Sequence, residues 1–183
     1  GEAPITFNSG IVATHNAVLT SDINLSDISW TPIGRTLTDE EKAAGNHAFD
    51  FQFRGTPNVH AVFDGQGYAI KNYAATHALI NENWGTVKNV TVDSSCTWAY
   101  DLTNTDASTP HAVFVNSNMG LVSGCINNAD VTAVGGNIIK DRSIGTIVGI
   151  SGSTDFNLSN TLLKGISARV ENCINNGNLT ITM

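Results

Sequence analysis

The chain has 183 residues, room for one sizeable core and too few for two ordinary domains. Hydrophobic residues make up 41% and charged residues only 14%, with Gly, Asn, Thr and Ser filling the difference, which excludes charge-rich disorder and disfavours a helical bundle. Sixteen acidic against nine basic residues give a net charge of −7 without any Lys/Arg cluster, so nucleic acid and anionic membrane are set aside as partners.

In chain order, Ala17-Val18-Leu19-Thr20 and Ile23-Asn24-Leu25 read as strands, and Trp30-Thr31-Pro32-Ile33-Gly34 as an extended piece closing on a turn. Thr38 and Glu41 make a capping box ahead of a Gly45 stop, which predicts one short helix in a loop over residues 35–50. Phe51-Gln52-Phe53-Arg54-Gly55 returns to extended structure. Phe63-Asp64-Gly65-Gln66-Gly67-Tyr68-Ala69-Ile70 predicts a turn running into another strand. No apolar run approaches the ~20 residues of a membrane span, so membrane insertion is not expected. The opening Gly1-Glu2-Ala3-Pro4 reads as the remnant of a cleaved tag, with a signal peptide expected to have been removed.

From residue 77 onward the chain repeats itself. The stretch from His77 through Gly85 to Val90 aligns with that from His111 through Gly120 to Cys125, with one extra residue in the second. Cys125-Ile126-Asn127-Asn128-Ala129-Asp130-Val131-Thr132 then recurs as Cys173-Ile174-Asn175-Asn176-Gly177-Asn178-Leu179-Thr180. Val90, Cys125 and Cys173 therefore share one repeat position, at unequal intervals that mean variable insertions between constant strands. Strands this short cannot bury a face alone, but stacked in register they bury a continuous core and satisfy their backbone groups above and below. The expected fold is all-β, a parallel β-helix (solenoid) of about five short coils, with excursions over 35–50, 93–110 and 151–166. It is expected as one domain over 1–183, with opening coils and a capping loop over 1–60 and repeats over 61–183, within a longer chain. Leu179-Thr180-Ile181-Thr182-Met183 stops in mid-strand, so this end is expected either to continue or to pair with another chain, giving end-to-end self-association.

The order Asp22-Ile23-Asn24-Leu25, Trp30-Thr31-Pro32-Ile33-Gly34, Phe53-Arg54-Gly55 and Phe63-Asp64-Gly65-Gln66-Gly67-Tyr68-Ala69-Ile70-Lys71-Asn72 resembles the opening of bacterial surface proteins with GLUG-type repeats. The later units, such as Gly85-Thr86-Val87-Lys88-Asn89-Val90, resemble the repeats themselves, over roughly residues 17–183 with gaps. The resemblance implies a right-handed β-helix-like fold on an exported protein, secreted or held at the cell surface. It implies no particular chemistry.

Several side chains qualify as site candidates. Trp98 and Tyr100, two apart, share one face if extended. Beside Asp101, Asn104 and Asp106 in a polar excursion, they suit a sugar ring, whose apolar face stacks while its hydroxyls find acceptors. The competing reading has both rings covering the core. The ladder of Val90, Cys125 and Cys173 reads as small apolar core, with a Cys125–Cys173 bond open but not expected. The Asn127-Asn128 and Asn175-Asn176 pairs read as turn residues able to form an amide ladder. His77 and His111 occupy matched positions, but two imidazoles do not make a metal site, and neither metal nor cofactor is expected. Asn104-Thr105-Asp106 resembles the start of a polygalacturonase signature whose other parts are missing. The expectation is a non-catalytic extracellular module, structural or adhesive, with a glycan or host surface protein as partner. A polysaccharide-active lyase or hydrolase (or an accessory module of one) and a pure spacer are the alternatives.

Overall fold

Alternating runs of two to five residues, each cut short by Asn, Gly or Ser, set the scale of every element in this computed structural model, which describes residues 16–28, 30, 32, 62–83, 85–103, 110–135, 143–152 and 168–182. All strands among them lie in parallel sheets, and none of the described residues is helical. The helix expected within 35–50 lies outside the described residues.

The chain passes five times through the first two sheets. The first pass contributes β1 (Ala17–Val18) and β2 (Ile23–Asn24). The second contributes β3 (Val62–Asp64), β4 (Ala69–Lys71), β5 (Ala74–Ala75) and β6 (Ile80–Asn83). The third runs through β7 (Thr86–Lys88), β8 (Thr91–Val92), β9 (Thr97–Asp101), β10 (His111–Ala112) and β11 (Val115–Asn118). The fourth repeats that order as β12 (Leu121–Ser123), β13 (Ile126–Asn127), β14 (Asp130–Val134), β15 (Ile144–Gly145) and β16 (Val148–Ser151). The fifth gives β17 (Arg169–Glu171), β18 (Ile174–Asn175) and β19 (Leu179–Thr182). Within each sheet the strands follow chain order, as in β1-β3-β7-β12-β17, so each pass bonds only to the one before and the one after. The register matches the repeat alignment residue for residue: Val87 pairs with Val122, and Ile126 with Ile174.

The corner between the first and second sheets shows why the strands stop where they do. Asn89, Gly124 and Asn172 take φ of 54°, 61° and 54° at equivalent places in three successive passes. Asn and Gly are the residues that tolerate this left-handed conformation, and one such residue turns the chain sharply enough to end a strand. At Gly65 the demand is for space, because a Cβ there would lie 2.4 Å from the carbonyl oxygen of Asn89 in the next pass.

Inward positions stack into ladders. Phe63, Val87 and Val122 form one in the first sheet, Ala75, Trp98 and Val131 another in the third, and Ile80 and Val115 a third. All are buried, and each valine is worth roughly 1.5–3 kcal/mol relative to an exposed one. In the fifth pass the inward residues Val170, Leu179 and Ile181 are 43%, 41% and 50% exposed, while Leu19 and Leu25 in the first pass are buried.

Polar side chains also stack. Buried Asn83 donates to the Asn118 side-chain oxygen at 2.7 Å, and the Asn118 amide donates in turn to the Ser151 hydroxyl and to the Gly120 and Arg169 backbone carbonyls. Asn127 donates to Asn175 at 2.8 Å, Asn176 to Asn128 at 2.8 Å, and Asn116 to Asn81 at 3.1 Å. Lys71 reaches Asp22 and Lys88 reaches Asp64, each pair again joining neighbouring passes.

Candidate functional site

The aromatic pair read from the sequence as an exposed sugar platform is part of the core. Thr97-Trp98-Ala99-Tyr100-Asp101 is β9, a five-residue strand paired on both sides, with Trp98 and Tyr100 1% and 3% exposed. The two rings do share a face, but it is the inner one. Period-two alternation fixes which residues lie together, whereas the segments packed against one face of the sheet, here those carrying Tyr73, His77 and His111, decide which face points inward. Trp98 packs edge-on against Tyr73, ring centroids 5.6 Å apart, and donates its indole N–H to the His77 carbonyl at 3.0 Å. The Tyr100 hydroxyl donates to the Ala112 carbonyl, and its ring tilts against His111 at 4.9 Å. Burial pushes the phenols of Tyr73 (to about 12) and Tyr100 upward, so both stay protonated donors at neutral pH. Trp98→Ala would therefore cost about 3–5 kcal/mol of stability, read as a lost or lowered unfolding transition, rather than remove a ligand contact.

β9 thus takes up part of the stretch expected to be an excursion over 93–110, and residues 104–109 lie outside the described residues. Asp101 caps that strand's end, accepting from the Thr103 hydroxyl at 2.6 Å and the Thr103 N–H at 3.0 Å, which holds its carboxyl below the usual range. Asn104 and Asp106 lie outside the described residues, as does Trp84. The structure thus brings Trp98 and Tyr100 together as core and leaves Asp101 as a turn cap.

The ladder of Val90, Cys125 and Cys173 is inward-facing, with Val90 and Cys125 fully buried and Cys173 at the outer pass partly so. No group of three or more His, Cys, Asp or Glu side chains among the described residues could hold a metal ion.

A surface feature not expected from the sequence is an open recess of 420 Å³ on the first corner, lined by Asp64, Gln66, Gly67, Asn89, Thr91, Gly124 and Ile126. Three successive passes line it, with the left-handed Asn89 and Gly124 beside the longer turn at Gln66 and Gly67. Its one carboxylate is already occupied: Asp64 accepts from the Gln66 N–H at 2.9 Å, from Asn89 at 3.2 Å and from Lys88 at 3.1 Å. The Gln66 hydrogen bond, with Lys88 and Asn89, holds its pKa below the ordinary value. Such a lining can hydrogen-bond a neutral polar ligand. The signal for it in the sequence was the extra length of Gly65-Gln66-Gly67-Tyr68 relative to the later corners, which marks a turn but not a hollow.

No helix among the described residues is long and apolar enough to cross a membrane. No protein-family model, curated protein or solved structure matches this chain.

Proposed function

We propose that the chain is a right-handed parallel β-solenoid serving as a non-catalytic module of an exported bacterial surface protein, structural or adhesive, of the kind built from GLUG-type repeats. The observation that carries this reading is the direction of the polar side chains. Asn83, Asn116, Asn118, Asn127 and Asn176, with the Asp22–Lys71 and Asp64–Lys88 pairs, are spent on bonds from one pass to the next. Side chains used in this way stiffen a stack, which suits a part that holds position or presents a surface. Where it adheres, the partner is a neutral glycan or a host glycoprotein, and the recess around Gln66 and Thr91 is the place to hold one.

The test is to immobilise the protein, expose it to neutral and acidic polysaccharides and mucin-type glycoproteins, and read both retention and the release of new sugar ends. Retention that is lost in Gln66→Ala and Thr91→Val supports the adhesive form. No retention by a fully folded protein reduces the reading to a spacer. New reducing or unsaturated sugar ends would overturn it in favour of a polysaccharide-active enzyme.

A further inference from the structure

We infer that Cys125 and Cys173 form a disulfide that fastens the last pass to the stack when the protein meets an oxidising small-molecule disulfide. The inference rests on the register, and holds wherever the protein acts.

Ile126 pairs with Ile174 in parallel, and the Ile174 N–H donates to the Cys125 carbonyl at 2.9 Å, so the two cysteines preceding these residues stand one directly beyond the other. Their thiols leave the backbone the same way. Cys125 Sγ lies 3.6 Å from the Ser123 carbonyl, and Cys173 Sγ 3.4 Å from that of Glu171, the equivalent residue one pass on. Each thiol also faces the carbonyl of the pass before it, Cys125 Sγ 4.0 Å from that of Val87 and Cys173 Sγ 3.8 Å from that of Val122, the equivalent residue one pass on. Neighbouring strands sit ~4.8 Å apart, inside the range of Cα separations that a disulfide spans but roughly 1 Å wider than its usual Cβ separation. That gap can close here. Both cysteines lie between strands, each following a left-handed residue, Gly124 or Asn172. Among the described strands, those of the pass carrying Cys173 are paired on one side, so drawing it toward Cys125 displaces none of the others.

The chemistry divides between the two sulfurs. Cys173, the more exposed, is the nucleophile: the hydrogen bond from the Cys125 thiol favours its thiolate, while the bond to Cys173 and burial hold the Cys125 proton in place. The Cys173 thiolate attacks one sulfur of the small disulfide and expels the other as a thiolate. Cys125 then gives up its proton, attacks Cys173 Sγ in the mixed disulfide and expels the second small thiolate. Two protein thiols are oxidised, and one small disulfide is reduced to two thiols. Cys96 has no part in this. It sits at another corner, fully buried, with its Sγ against the Ile70 carbonyl at 3.3 Å and the Tyr73 N–H at 3.4 Å. The third position of the ladder is Val90, so only one bond can form at this level.

The experiment treats the folded protein with oxidised glutathione, removes the glutathione, unfolds the protein in denaturant containing iodoacetamide to block every remaining thiol, and maps the peptides by mass spectrometry. The expected result is a fall from three titratable thiols to one, a peptide pair joined through Cys125 and Cys173 and lighter by two hydrogens, and an alkylated Cys96. Cys125→Ser should stop the reaction at a stable glutathione adduct on Cys173. Three thiols that stay free, a bond involving Cys96, or a glutathione adduct that persists on Cys173 in the unmutated protein would each overturn the inference.

Discussion

At Gly124 two local demands coincide, a φ of 61° and a Cβ direction that ends 2.6 Å from the Asn89 side-chain oxygen. Gly124→Ala should lower stability by about 1–2 kcal/mol, combining left-handed strain with crowding. In an Asn89→Gly background the crowding disappears, and denaturant unfolding should show only the backbone share, about 1 kcal/mol. The carboxylates at the corners make a second prediction. Asp22, Asp64, Asp93 and Asp101 are all held below the ordinary carboxylate value by hydrogen bonds to Lys71, the Gln66 N–H, the Ser95 N–H and Thr103 respectively. A group depressed in the folded state adds stability that is complete above its unfolded pKa, about 3.9, and is lost as pH falls through the folded value. The melting temperature should therefore hold from neutral pH down to about 5 and then drop. Asp64→Asn should start lower and converge on the unmutated curve at the acid end. Parallel curves throughout would show that the Asp64 charge contributes nothing.

Among the elements, the amide ladders separate buried from exposed bonding. Asn118→Ala removes an acceptor for Asn83 and a donor to the Gly120 and Arg169 carbonyls inside the stack, and should cost about 3 kcal/mol by chemical denaturation. Asn176→Ala breaks an equally short bond to Asn128 at an exposed corner and should cost about 0.5 kcal/mol or less. Near-equal costs would mean that burial is not what gives the ladder its strength. The same elements show what the sequence discloses. Register was legible, because Cys-Ile-Asn-Asn repeats verbatim and a matched string fixes every partner across the pass. β9 was not, since Trp98 and Tyr100 between Thr97 and Asp101 look the same whether strands cover one face or the other. The recess was not legible either, being made by backbone positions in three passes that no single stretch of sequence contains.

Across the whole molecule, each pass is held by its neighbours, so stability should vary with the number of them. Among the described strands, β7, β8, β12 and β13 are paired on both sides, while β17, β18 and β19 are paired on one and carry the exposed Val170, Leu179 and Ile181. Amide hydrogen exchange should be slower in the former by about tenfold or more. Uniform rates throughout would mean that the stack opens as one unit. The passes also differ in length without losing register: Tyr73 meets Cys96 across 23 residues, Asn83 meets Asn118 across 35, and Asn127 meets Asn175 across 48. Contour length is therefore a free variable of this architecture, separate from the pairing that gives it order. Inheritance can lengthen, shorten or rewrite the chain between one paired strand and its counterpart in the next pass while the ladders stay as they are, so novelty and stability are edited in different parts of the same chain.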